Sequence, residues 1–125
     1  MNKAFWEDSI SPRPTMMIKR TLRSGQNVNY DGNIVILGDV NPGAELTASG
    51  NILVMGSLRG VVHAGADGDE ESWITALFLD PTQLRIGAHI TRPPDGNNKD
   101  EHFSLPETAR IKDNEVIIER YQINR

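Results

Sequence analysis

Residues 32–40 read GNIVILGDV, and residues 50–58 read GNILVMGSL, the same pattern eighteen residues later. The likeness runs backwards as well, Gly25 falling on Gly43 and Val28 on Leu46. A finer period lies inside it: Leu22, Val28, Ile34, Val40, Leu46, Ile52 and Leu58 put an aliphatic at every sixth position. Neither the 3.6-residue period of an amphipathic helix nor the two-residue alternation of a simple hairpin produces a strict six. Six residues per side and three sides per turn make eighteen, which is a triangular parallel β-helix. Residues eighteen apart then stack at about 4.8 Å, the spacing of neighbouring strands.

The stacked columns carry expectations of their own. The six aliphatics from Val28 to Leu58 should fill the coil, in turns near residues 22–39, 40–57 and 58–79. Gly32 with Gly50, and Gly38 with Gly56, should mark corners that need positive φ. Asn33 and Asn51 follow the first glycine pair, where their amides can bond local backbone or each other. The series breaks at Ala66–Ser72, an acidic ADGDEES stretch, and resumes at Phe78, Leu84 and Ile90. That spacing suggests a two-residue insertion at one corner. Thr91–His102, rich in Pro, Gly, Asn and Asp, reads as a loop. Ala109, Ile111, Val116 and Ile118 then offer two short strands around an Asp113-Asn114 turn, placed to close the open end of the stack.

Composition narrows the function classes. The chain of 125 residues is one domain, 38% hydrophobic with 11 glycines. It has no cysteine, which excludes a disulfide scaffold, a cysteine nucleophile and thiolate metal sites. Its net charge of −4 argues against general nucleic-acid binding. Residues 1–15 have no apolar block, carry Glu7 and Asp8, and read as a linker or tail rather than a signal peptide. No apolar run approaches the roughly 20 residues of a membrane span, so a cytoplasmic protein without membrane insertion is expected.

Catalytic signals are weak. A sixfold period with Ile86-Gly87-Ala88-His89-Ile90 also suits the hexapeptide-repeat acyltransferases, left-handed β-helices with a histidine base, for which His63 and His89 are the candidates. His63, however, falls eighteen and thirty-six residues after Glu45 and Asn27, as a member of an outward polar column. Asp67, Asp69, Glu70 and Glu71 lack the alternating oxygen ligands of a calcium loop. Ser24 has no nucleophile-elbow context. No catalytic residue, metal or cofactor is expected.

Binding features are stronger. Arg23-Ser24-Gly25-Gln26 gathers a guanidinium, a hydroxyl and an amide around a flexible glycine at the start of the first turn. Arg23, Asn41 and Arg59 should share one column, so two arginines stand about 10 Å apart, suited to a carboxylate-bearing partner. On another side, Val35 stacks on Leu53 and Leu37 on Met55, which makes an outward apolar patch and predicts a homodimer.

Several stretches in order, Thr21-Leu22-Arg23-Ser24-Gly25-Gln26, Gly38-Asp39-Val40-Asn41-Pro42-Gly43-Ala44-Glu45-Leu46, Gly56-Ser57-Leu58-Arg59-Gly60, His63-Ala64-Gly65-Ala66, Gln83-Leu84-Arg85-Ile86 and Pro106-Glu107-Thr108-Ala109-Arg110-Ile111, closely resemble the C-terminal domain family of the septum site-determining protein MinC. The likeness runs from about Met16 to Tyr121 and assigns residues 16–125 to that domain. It implies a right-handed β-helix of three to four turns in a bacterial cell-division inhibitor. It also implies a homodimer that binds MinD, an ATPase which in its ATP-bound form brings it to the inner face of the membrane. The family's MinD-contacting motif carries over to Arg23, Ser24, Gly25 and Gln26. The stretch before Thr15 is too short for the family's N-terminal domain, which opposes FtsZ polymerisation. The chain alone is therefore expected to bind MinD and to inhibit FtsZ poorly.

Overall fold

A computed structural model describes residues 4–91 and 105–123. Among these, one 3-10 turn at Glu7–Ser9 precedes eleven strands and there is no α-helix. The strands are β1 (Thr15–Ile18), β2 (Asn27–Tyr30), β3 (Asn33–Ile36), β4 (Glu45–Ala48), β5 (Ile52–Leu58), β6 (Val61–Ala64), β7 (Ile74–Leu79), β8 (Gln83–Ile86), β9 (His89–Thr91), β10 (Glu107–Lys112) and β11 (Glu115–Arg120). They form a parallel solenoid of about four turns, the fold that the sixfold period predicts. One side is a six-stranded sheet in the order β1-β3-β5-β7-β10-β11, and the second is a five-stranded sheet, β2-β4-β6-β8-β9. The narrow third side begins with single bridges, Leu22 to Val40 and Val40 to Leu58. A right-handed coil, which the resemblance implies, is also the hand that parallel crossovers adopt almost without exception.

Each side sends one column inward. Ile34, Ile52 and Ile74 stack on the first, Leu46, Val62 and Leu84 on the second, Val40, Leu58 and Leu79 on the third. All nine are at most 1% exposed, and each is worth roughly 1.5–3 kcal/mol of burial. Ile36 and Val54 join them. Val28 is only half-buried because β2 is the first strand of its sheet and has nothing stacked above it.

Four expectations change in detail. First, the third tier departs from eighteen at two corners. Leu46 pairs with Val62 after sixteen residues and Ile52 with Ile74 after twenty-two. The corner after Leu58 is thus two residues short and the 65–72 loop six long, a net gain of four; the expected two-residue insertion came from setting Phe78, rather than Leu79, under Leu58. A bulge between Val54 and Ser57 shifts the register once more. Second, Phe78 therefore pairs with Ser57 and lies outside the aliphatic core, and Ile90, at 48% exposed, sits on β9 of a terminal hairpin. Third, His63 stacks on Thr47 rather than Glu45. Fourth, of the two glycine columns only Gly32 has positive φ. Gly38 is there for space: a Cβ would lie 2.7 Å from the carbonyl carbon of Arg20 in the turn above.

The ends behave differently. β10 and β11 form a hairpin whose two-residue turn places Asp113 at φ 53 and Asn114 at φ 64, the paired positive values of a type I′ turn. β10 runs antiparallel to β7, burying Ala109 beside the core with Ile111 and Val116 packed against it, so the hairpin does close the stack. Ile118 remains 39% exposed. Thr91 ends β9, and positions 92–102 of the expected loop lie outside the described residues.

Asn33 and Asn51 bond as their repeat suggests. Both the backbone N–H and the side-chain amide of Asn51 donate to Asn33 Oδ1, at 2.9 and 3.2 Å, and Trp73 N–H donates to Asn51 Oδ1 at 2.9 Å. Upstream of β1, Pro14 O accepts from Asn33 N–H, and Asn33 Nδ2 donates to Ser11 Oγ. Arg13 reaches from this first tier to the acidic loop, with Nη2 3.1 Å from Asp69 and Nη1 3.6 Å from Asp67.

Candidate docking edge and apolar face

Arg23, Ser24, Gly25 and Gln26 form a single exposed β-turn at the open end of the coil, where the narrow side meets β2. Gln26 N–H donates to Arg23 O at 2.9 Å. Gly25 occupies the third position with φ 87, a value that an L residue adopts only under strain. The Gln26 side chain is partly committed, its Oε1 accepting from Arg23 N–H at 2.8 Å. The turn is thus pinned at both ends while Arg23 and Ser24 are exposed, with the Ser24 hydroxyl leaning over Gly43 of the tier below. Directly beneath, Asn41–Ala44 repeats the turn, with Gly43 at φ 90.

Arg59 stands two tiers below Arg23, through Asn41, as the column predicts. Unlike Arg23 it is half-buried, with its guanidinium carbon 5.6 Å from the centre of the Phe78 ring. Asp39 offers Arg23 no ion pair; its Oδ1 accepts from Ser57 N–H at 2.8 Å and ties two tiers together.

Val35, Leu37, Leu53 and Met55 all lie on the outer face of the six-stranded sheet, where Val35 pairs with Leu53 and Leu37 precedes Met55 by eighteen residues. Leu37 is 40% and Met55 46% exposed. The insertion hid two further members from the sequence reading, Trp73 and Leu77. Together with Pro106 and Tyr121 they border an apolar groove running from β5 to β11. Arg110 and Glu119 pair beside it, and this hydrogen bond holds the Glu119 carboxyl below its ordinary range and raises the Arg110 guanidinium further.

The two histidines of the acyltransferase alternative are engaged elsewhere. His63 Nε2 lies 2.9 Å from the carbonyl oxygen of Gly87, and His89 Nε2 lies 2.9 Å from Glu70 Oε1. Two members of the acidic loop, Asp69 and Glu70, therefore meet a cation or a titratable ring rather than only solvent.

Comparison with known proteins agrees with this geometry. Residues 16–121 match the family described as septum formation inhibitor MinC, C-terminal domain. A probable septum site-determining protein MinC of Heliobacterium modesticaldum is 63% identical over 107 residues, covering 86% of this chain and 36% of the relative. Its counterpart in Acetivibrio thermocellus is 58% identical over 117 residues, 94% of this chain and 51% of the relative. The chain thus spans about a third to a half of the length of these curated relatives. Among solved structures, a chain of the MinC:MinD cell division protein complex of Aquifex aeolicus superposes with a TM-score of 0.81 at 40% identity, covering 89% of each chain. Fold, repeat and relatives agree that this chain belongs to the family of MinC C-terminal domains.

Proposed function

We propose that this chain is the non-catalytic binding module of a division-site inhibitor, docking on MinD through the edge Arg23-Ser24-Gly25-Gln26 with Arg59 below it. The observation that carries the reading is the likeness, over nine-tenths of both chains, to a structure solved as a MinC:MinD complex. The turn geometry supports it. A pinned backbone presents Arg23, whose planar fork binds a carboxylate in a way that lysine cannot reproduce. A homodimer through Val35, Leu37, Leu53 and Met55 would double the edges available to MinD. ATP-bound MinD then takes the otherwise cytoplasmic module to the inner membrane face, and the FtsZ-directed activity belongs to the part of the relatives that lies outside this chain.

The test is recruitment to vesicles by MinD with ATP or with ADP. Wild type should follow MinD only with ATP. Arg23→Ala should weaken binding thirtyfold or more, since truncating one partner of a buried charge-assisted pair costs about 2–5 kcal/mol. Undiminished recruitment of a folded Arg23→Ala variant would overturn the assignment of the edge.

A further inference from the structure

Charge is distributed unevenly along the coil axis. Residues 15–31, the first tier, hold Lys19, Arg20 and Arg23 against a single acid, Asp31. Residues 32–49 hold Asp39 and Glu45 with no Lys or Arg, and residues 50–91 hold Arg59 and Arg85 against Asp67, Asp69, Glu70, Glu71 and Asp80. An acidic protein thus has one cationic end. Asp31 does not neutralise it: its carboxylate accepts from Ser49 Oγ at 2.7 Å, at the far corner between β2 and β3.

The three cations flank the narrow side at its open end, Lys19 and Arg20 at the corner after β1 and Arg23 at the corner before β2. Lys19, Arg20 and Arg23 are all exposed, and their side chains form no ion pair or hydrogen bond among the described residues. Their backbone, by contrast, is fixed. Asp39 N–H donates to Thr21 Oγ1 at 3.1 Å, Leu22 N–H donates to Asp39 O at 2.9 Å, and the Arg20 carbonyl packs on Gly38. Among the described residues nothing uses these charges. Three like charges within five residues repel one another, so a purely structural account gives no reason for them.

We propose that Lys19 and Arg20 are an electrostatic guide that draws an acidic face of the partner onto the Arg23 edge. This rests on the reading that Arg23–Gln26 docks MinD, and adds that the docking face of MinD is anionic. Rim charges of this kind act on encounter, by raising the local concentration of an oppositely charged partner, more than on the lifetime of the complex. Lys19→Gln/Arg20→Gln should therefore slow association with ATP-loaded MinD about three- to tenfold at low ionic strength and flatten its dependence on salt. Dissociation and the melting temperature should stay as in wild type.

The experiment is stopped-flow or surface-based kinetics over a series of salt concentrations, with Arg23→Ala in parallel. Wild-type association and salt slope in the double variant, with binding still lost in Arg23→Ala, overturns the guide and leaves the docking edge standing. Wild-type kinetics in Arg23→Ala overturns the docking edge and the guide with it. A third arm uses vesicles of equal parts phosphatidylcholine and phosphatidylglycerol without MinD. Sedimentation of wild type with these vesicles, lost in the double variant, would assign the cations to an anionic bilayer and overturn the proposal.

Discussion

Gly25 lies directly over Gly43: its N–H donates to the Gly43 carbonyl at 2.9 Å, and the two share nearly the same positive φ, 87 and 90. The Arg23–Gln26 turn is therefore a copy of the turn beneath it, held one strand spacing above. The surroundings of the two glycines differ. A Cβ on Gly25 would meet nothing within 4 Å, whereas on Gly43 it would collide with Ser24 Oγ and lie 2.9 Å from Ser24 Cβ.

Gly25→Ala should thus cost only the backbone strain, about 1–2 kcal/mol, and leave the coil folded. Gly43→Ala adds a steric clash to the same strain and should cost more, while displacing Ser24. Urea denaturation of both variants measures the difference. Equal losses would show that strain alone governs the corner. Gly25→Asp, attractive as a docking variant, carries this strain too, so Arg23→Ala is the cleaner probe of binding.

Neighbouring residues on one strand should separate stability from assembly. Ile52 is fully buried and Leu53 points to the outer face of the six-stranded sheet. Ile52→Ala should destabilise by about 2–5 kcal/mol, and Ile52→Asp should abolish folding. Leu53→Asp and Met55→Asp should melt close to wild type yet shift a dimer to monomer in sedimentation equilibrium. A wild type that is monomeric at tens of micromolar would remove the dimer.

The strut between the first tier and the acidic loop should show salt dependence. Arg13 bridges Asp69 and Asp67 across the glycine corner, where a Cβ on Gly50 would lie 2.9 Å from Arg13 Cδ. Arg13→Gln should cost about 0.2–1 kcal/mol at low ionic strength, and less in high salt. The Asn33 amide, which donates to Pro14 O, should exchange faster in the variant. Unchanged exchange there would mean that Pro14 is held without the ion pair.

Glu119 provides a pH test. Its folded-state pKa is lowered, first by the hydrogen bond from Arg110. Near the ordinary glutamate pKa of 4.5 the unfolded state binds the proton more readily, so the pair's contribution is present above that value and fades as pH falls through the lower folded pKa. NMR titration should give a Glu119 pKa below the ordinary carboxylate range, restored by Arg110→Met. A normal value in wild type would rule the pair out in solution.

The repeated tiers were legible because their physics is local to the column. Ile34 over Ile52 and Val40 one side further on need only the six-residue count, and Asp113-Asn114 announces its turn by the positive φ that those two residue types tolerate. What stayed hidden depends on where the count fails. The short corner at Gly60, the long loop before Trp73 and the bulge after Val54 leave a net gain of three residues, one more than a count to Phe78 allows, so Phe78 kept the appearance of a core residue while Leu79 took its place. Trp73 and Leu77 escaped the apolar face for the same reason. The Arg23–Gln26 turn was readable as a polar cluster around a glycine, but the stacking of Arg59 on Phe78 followed from the shifted register alone.

That broken count has a consequence for how the chain finds its fold. GNIVILGDV and GNILVMGSL are so alike that a strand could settle one storey too high or too low with nearly the same buried side chains and the same asparagine bonds. In an unbroken eighteen-residue tandem nothing would distinguish the floors. The missing pair of residues after Leu58 and the extra six before Trp73 give the third floor a different perimeter from the first two. The reversed hairpin of β10 and β11 pairs with β7 of that floor, at the end away from β1. The irregular storey is the address label of the stack, and a version with all tiers restored to eighteen should refold more slowly and more heterogeneously.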